Sequence, residues 1–260
     1  MSGENRTMDF RKWVAVFGTM LGAFMAVLDI QITNSSLRDI SGGIAATPDE
    51  GSWISTAYLV GEIVTIALTA WLAQVFTVRY YLVVNVLLFL TFSALCGISN
   101  SLGQMIVFRA GQGFTGGVFI PMALTVIVST MPKNLLPVGQ AMFGMTATLA
   151  PAIGPALGGW LTDHFGWEWN FYVNVIPGAL MLIAILYGVR KESMKLEQLR
   201  GGDCGEFFVW RSGSVHLWRC WKKASERTGS VAPSSGTARF WQRFLFRFLS
   251  SSNLLEKDPS

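Results

Sequence analysis

The sequence predicts an all-α integral membrane protein: six apolar spans in two three-helix inverted repeats, then a disordered or irregular basic tail. Three observations carry that expectation. Only 14% of the 260 residues are charged and 51% are hydrophobic, whereas a soluble domain carries about 25% charged residues. The apolar residues gather into runs that meet the length of a bilayer-crossing helix, about 20 residues. The charges are unevenly placed: nine of the 20 Lys and Arg residues follow Cys204, so the chain is apolar up to Asp203 and basic and polar beyond it.

The expected spans are residues 13–33, 53–75, 80–99, 104–131, 137–161 and 171–189. Most separators carry turn or breaker residues, such as Thr47-Pro48-Asp49, Ser99-Asn100-Ser101 and Pro132-Lys133-Asn134. The first span is not a signal peptide: it is too long for a simple apolar h-region, lacks a small-residue cleavage site, and five more spans follow. A soluble helical bundle is excluded because it needs polar helix faces, and the third and sixth spans have none. Basic residues set the orientation. With the N-terminus inside, Arg6, Arg11, Lys12, Arg79, Lys133, Arg190, Lys191, Lys195 and Arg200 lie on the cytoplasmic side, against Arg38 alone outside. The expected organisation is a cytoplasmic N-terminus over 1–12, a six-helix unit over 13–189, a cytoplasmic linker over 190–203 and a separate tail over 204–260.

Charges within a bilayer cost about 3 kcal/mol each at a helix centre, so they face a cavity or a partner. Three lie inside the spans: Asp29 in the first, Glu62 in the second and Arg109 in the fourth. Dividing six spans into two sets of three places Asp29 and Arg109 on corresponding first helices. The chargeless third and sixth spans then occupy corresponding positions and are expected to face lipid, while the first helices line a pathway, in the manner of transporters built from inverted repeats.

Small residues and prolines refine this. The fourth span reads Arg109-Ala-Gly111-Gln112-Gly113-Phe-Thr-Gly116-Gly117, a stripe that permits close helix contact. The fifth contains Pro151, Gly154, Pro155, Gly158 and Gly159. Two prolines remove backbone donors, so a break lining a cavity is expected there, with simple helix packing as the alternative.

These residues resemble the major facilitator superfamily, and within it the fourteen-helix drug/proton antiporter branch. Leu28-Asp29-Ile30-Gln31-Ile32-Thr33-Asn34 looks like that branch's first-helix signature, and Arg109-Ala-Gly111-Gln112-Gly113 like its fourth-helix motif, whose arginine is associated with proton coupling. The stretch from Gly154 to Gly159 resembles the fifth-helix antiporter motif, and Trp167 to Gly178 the start of helix six. The resemblance covers residues 10–203 and implies the N-terminal six-helix half of such a fold, in a bacterial-type inner (plasma) membrane. It implies lipid, protons and a small amphipathic or drug-like compound as partners, together with a second half. One departure stands out: the loop Trp71-Leu-Ala-Gln74-Val-Phe-Thr77-Val-Arg79-Tyr80 keeps one arginine and lacks the family's acidic residue.

The implied function is export of small organic compounds in exchange for protons, with Asp29 or Glu62 taking the proton and Arg109 and Gln112 beside them. Asp29 has a plainer alternative role, pairing or capping within the fold. A different class of function is an inactive or scaffold-like membrane fragment without transport of its own. No enzyme, cofactor, metal or nucleic-acid role is expected: Cys96, Cys204 and Cys220 lack metal-ligand spacing, His164 stands beside Asp163 alone, and the glycine runs lie inside apolar helices rather than after strands.

The tail reads as a shifted frame. The resembled family continues from Gly-Gly-Asp with Trp-Trp-Gly and a seventh helix. Deleting one base from tandem Trp codons after Asp203 would turn that helix, a loop and an eighth helix into the Cys204-Gly-Glu-Phe-Phe-Val-Trp210 stretch and its continuation. A native cytoplasmic or membrane-surface segment is the alternative.

Overall fold

The computed structural model describes residues 8–189; the tail, the linker and most of the N-terminal segment, including Arg6 and Arg190, lie outside them. The described residues form helices throughout. The first span is α1 (Phe10–Ser35), followed by the short α2 (Leu37–Gly43); α3 (Pro48–Phe76) and α4 (Val78–Gly97) are the second and third. The fourth comprises α5 (Leu102–Gly116) and α6 (Phe119–Thr130), the fifth is α7 (Leu136–Phe165), and the sixth comprises α8 (Trp169–Tyr172) and α9 (Val175–Gly188). Six stretches are long and apolar enough to cross a membrane: Phe10–Ser35, Pro48–Thr69, Val78–Gly97, Leu102–Thr130, Leu136–Phe165 and Trp169–Gly188.

Capping explains where α3 begins. Thr47 accepts from the Glu50 backbone N–H, and Glu50 accepts from the Thr47 N–H at 3.0 Å, with Pro48 at the first helical position. This reciprocal box satisfies donors that would otherwise be orphaned. It starts the helix five residues before the expected boundary at Trp53, because the apolar pattern begins later than the cap.

Prolines also break two spans, but not the expected one. The fourth span turns at Gly117 and Val118 and the sixth at Val173 and Asn174. Pro121 and Pro177 follow by four residues, so neither can donate to the carbonyl of Gly117 or Val173. By contrast, α7 runs unbroken through Pro151 and Pro155. Those two stand four apart and both are exposed, while Gly154 and Gly158 of the same helix are buried. The unmade hydrogen bonds therefore fall on the exposed face of a helix that continues through both prolines, which corrects the expectation of a break.

Helix pairing exchanges between the two repeats. The first span packs on the fifth and sixth, through α7 and α9, while the fourth span, through α5, packs on the second and third, α3 and α4. Swapping one three-span set for the other reproduces the same contacts. Three crossings per set also force the second set to run inverted relative to the first. Met25, Tyr58, Phe89, Phe119, Met181 and Ile185 form the principal core between these helices.

At the end of the bundle where α3 meets α4, two arginines hold the C-terminus of α9. Arg79 donates to the Val189 carbonyl at 3.1 Å and Arg11 to the Tyr187 carbonyl at 2.7 Å. Cations there satisfy terminal carbonyls and complement the helix dipole. The lone arginine of the α3–α4 loop thus serves the sixth span instead of a loop carboxylate.

Between α3 and α4, Thr77 adopts φ 62° and ψ 149°, a region that costs a non-glycine residue about 1–3 kcal/mol. Thr77→Gly is therefore expected to raise the unfolding midpoint in detergent, by about 1 kcal/mol after glycine's extra unfolded-state entropy is subtracted. A lowered midpoint would mean the Thr77 side chain contributes more than its backbone strain removes.

Candidate functional site

The first helices of the two repeats meet at a buried ion pair. Asp29 lies six residues before the end of α1 and Arg109 seven after the start of α5, each about 10 Å along its axis from the same end of the bundle. That common depth brings Arg109 Nη1 to 2.5 Å from Asp29 Oδ2, with the side chains 1% and 0% exposed. Sequence spacing placed both charges on corresponding helices; the exchanged packing brings them into contact.

Further groups complete the cluster. Gln112, one turn beyond Arg109, accepts from Arg109 Nη1 at 2.8 Å through Oε1 and donates through Nε2 to Asp29 Oδ1 at 3.0 Å and Ser93 Oγ at 3.1 Å. Asn174 Nδ2 donates to Asp29 Oδ1 at 2.6 Å and to Ser93 Oγ at 3.0 Å. Ser93 passes its own hydrogen to the Phe171 carbonyl at 2.8 Å. The Arg109 guanidinium lies 4.4 Å from the Tyr58 ring centroid and 5.7 Å from that of Phe171. Cation–π contact of this kind is strongest where water is excluded.

Each backbone feature serves this arrangement. The turn at Val173 and Asn174 interrupts the sixth span at the residue whose amide reaches Asp29. Gly113 lets α5 approach α3 so closely that a Cβ there would strike the Tyr58 carbonyl. Gly154 and Gly158 do the same for α7 against Gln31 and Ile32 of α1, so these two residues of the fifth-span motif settle α1 rather than line the ion pair. Gly159 has open space in front of it.

Burying two charges is expensive, and mutual attraction offsets it only when the remaining hydrogen-bonding capacity is also used. Here Asp29 is engaged on both oxygens. Two buried atoms of these cluster residues have no hydrogen-bond partner, Arg109 Nε and Asn174 Oδ1. The cluster is therefore nearly closed, with a few unmet groups at its edge.

Glu62 stands apart. It is buried on α3, one turn from Tyr58, whose ring flanks Arg109. Among the described residues its carboxylate makes no hydrogen bond. Gly117, at the turn in the fourth span, packs against the Glu62 backbone, where a Cβ would lie 2.7 Å from its carbonyl oxygen. The structure thus brings together Asp29, Arg109 and Gln112, sets Glu62 beside them, and leaves Pro151 and Pro155 on the outer face of α7.

Three participants escaped the sequence reading: Ser93, Tyr58 and the role of Asn174. Ser93 and Asn174 belong to the third and sixth spans, which were expected to face lipid because they carry no charge. They present apolar residues on one face and bury polar side chains on the other, Asn85 and Ser93 in the third span and Asn170 and Asn174 in the sixth. An isolated Ser or Asn inside an apolar run was the available signal. Cys96 is a buried thiol with Sγ 3.6 Å from Gln112 Oε1. His164 lies in the last turn of α7 rather than in a loop and contacts the Trp160 carbonyl at 2.9 Å. Among the described residues no three His, Cys, Asp or Glu side chains gather as a metal site.

Six apolar spans in exchanged three-helix repeats, closed around a buried charge pair, define a transporter-type membrane fold. The Major Facilitator Superfamily model matches residues 19–254, and the chain belongs to that superfamily and is a multi-pass membrane protein. It is similar to the colistin resistance protein EmrB of Acinetobacter baumannii, 41% identical over 175 residues, which are 67% of this chain and 34% of that protein. It is also similar to the multidrug export protein EmrB of Escherichia coli K12, 33% identical over 181 residues, 69% of this chain and 35% of that protein. The chain thus spans about a third of the length of these relatives. Among solved structures, a peptide transporter POT (E310Q mutant) in complex with alafosfalin matches with a TM-score of 0.58 at 14% identity, covering 80% of this chain and 50% of that one. That likeness concerns the fold.

Proposed function

We propose that this chain is the first half of an inner-membrane drug/proton antiporter, with its N-terminus cytoplasmic, that exports small amphipathic compounds. The names of the relatives support export of such compounds, and the basic-residue bias supports the orientation. The observation that carries the proton part is the division of labour between two carboxylates. Asp29 is fully engaged with Arg109, Gln112 and Asn174, whereas Glu62 is buried beside them without a hydrogen bond among the described residues. Glu62 is the carboxyl able to take up and release a proton without dismantling the cluster. It stands one helical turn from Tyr58, whose ring flanks Arg109, so in this reading a change in its charge biases the two-state motion of the halves. Nothing in this reading calls for catalysis, a cofactor or nucleic acid.

The test is a full-length transporter carrying this half, assayed for proton release driven by drug in inverted membrane vesicles. Glu62→Gln is expected to lower coupled proton movement at least tenfold while the protein remains folded. Unchanged coupling would return the proton role to Asp29 or to the second half. Expressed alone, residues 1–203 are expected to insert and fold but not to pump, because alternating access needs two halves around a midplane site; efflux from the isolated unit, or cross-linked homodimers that restore it, would overturn this.

Residues 204–260 lie outside the described residues. Resequencing the gene across the codons for Asp203 and Cys204 is expected to show the remnant of tandem Trp codons lacking one base, with apolar runs in the adjacent frame. Bases that encode no such runs would establish the tail as native.

A further inference from the structure

We propose that the buried face of α3 carries a proton relay, running from Glu62 through Thr65 and Thr69 to Tyr81 at the end of the bundle where α3 meets α4. The proposal deepens the antiporter reading and rests on Glu62 as the proton-bearing group.

The geometry begins with spacing. Tyr58, Glu62, Thr65 and Thr69 recur at intervals of four, three and four, which places them on one face of α3. All four are buried, although the exposed residues of the same helix are largely apolar: Leu59, Val60, Ile63, Val64 and Ile66. This helix is polar inside and apolar outside, the reverse of a water-soluble one. Packing alone gives no reason to set a carboxyl and two hydroxyls in a row along the buried face of a helix.

The hydrogen bonds show that the stripe is only partly satisfied. Thr69 Oγ1 donates to the Thr65 carbonyl at 2.8 Å and lies 3.3 Å from the Tyr81 hydroxyl. It can therefore rotate between a backbone acceptor and a side-chain hydroxyl. Thr65 Oγ1, one turn nearer Glu62, is buried without any hydrogen-bond partner. Helical threonines ordinarily bond a carbonyl one turn back, as Thr19 and Thr69 do here. That leaves an unmet hydroxyl between a carboxyl and a hydroxyl pair, free to accept or donate a proton as its neighbours change.

Direction follows from the fold. Asp29 and Arg109 lie near one end of the bundle, and α3 runs from that end towards Thr77. From Glu62 to Thr69 the stripe advances about 10 Å along the axis. Tyr81, in the first turn of α4, continues the stripe towards the opposite end, its hydroxyl meeting Thr69 seven residues before the end of α3. The proton step is a simple transfer. The Glu62 carboxylic acid gives its proton to the neighbouring hydroxyl or water, each hydroxyl accepts one proton and releases its own, and one proton leaves at Tyr81. Glu62 is left as the carboxylate, with no net change in the hydroxyls.

The experiment uses the full chain reconstituted in vesicles and follows the infrared band of protonated carboxylic acid after a pH jump on the side where α3 meets α4. Glu62→Gln identifies the Glu62 component of the band. If that variant removes nothing, Glu62 does not titrate and the antiporter reading of this residue fails. With the Glu62 component established, Thr65→Val and Tyr81→Phe are expected to slow its response at least tenfold from that side, and to leave its response from the other side unchanged. Thr65→Ser, which keeps the hydroxyl, is expected to restore the rate, separating a relay from a packing defect. Equal rates in Thr65→Val, Tyr81→Phe and the parent chain would overturn the relay while leaving Glu62 as the proton site.

Discussion

Replacing Arg109 by leucine is expected to destabilise the six-helix unit by about 3–5 kcal/mol, the usual penalty for removing one partner of a buried ion pair. The reason is what remains. Asp29, 0% exposed, would keep the amides of Gln112 and Asn174 but lose the cation that pairs with it. Tyr58 and Phe171 would also lose the guanidinium they flank. Asp29→Asn alone is expected to cost a comparable amount, because the converse charge is then stranded. The double replacement Asp29→Asn with Arg109→Leu is expected to recover much of the loss, since neither charge is left uncompensated. Thermal or denaturant unfolding in detergent gives the four corners of this cycle. Additive losses, with no recovery in the double variant, would show that the two side chains act independently despite their contact.

The second large effect is steric. Gly113→Ala is expected to cost about 3 kcal/mol, at the upper end of overpacking penalties, because its Cβ would meet the Tyr58 carbonyl rather than a movable side chain. Backbone cannot rotate out of the way, so α3 must separate from α5 and carry Tyr58 off the face of Arg109. Gly144→Ala serves as the control: nothing lies within 4 Å of the new methyl, and alanine favours a helix over glycine by about 0.5–1 kcal/mol. An unchanged or raised stability at Gly113, as expected at Gly144, would mean the α3–α5 contact is looser than this geometry requires. Gly159→Ala, also in open space, should leave folding unchanged. Any transport it removes in a full-length protein would then belong to the functional cycle rather than to packing.

Much of the architecture was legible because the bilayer imposes a length. A run of apolar residues long enough to cross is visible without any tertiary information, so six spans could be placed to within a few residues. The boundaries that moved were those set by local hydrogen bonding, such as the Thr47–Glu50 box that begins α3 early. Charges were equally legible: Asp29, Glu62 and Arg109 stand out against apolar neighbours, and two of them form the central pair. Prolines were less so. Pro121 and Pro177 coincide with turns, while Pro151 and Pro155 do not interrupt α7. Residue type says that a donor is missing, but the neighbouring helix decides whether the chain bends at that point.

By itself, the sequence determined the membrane character, the number of spans and the identity of the charged residues, because each follows from the free energy of placing a side chain or a peptide group in hydrocarbon. Only the tertiary structure decided which of those residues meet. Ser93 and Asn174 join the cluster from chargeless spans, Glu62 is set beside it without a hydrogen bond, and the α3 hydroxyls line up behind Glu62 towards Tyr81. Those relationships depend on how the helices of one repeat pack against those of the other, and on the glycines that set their spacing. Such contacts link residues about 80 to 145 positions apart, and neither periodicity nor composition along a single helix encodes them.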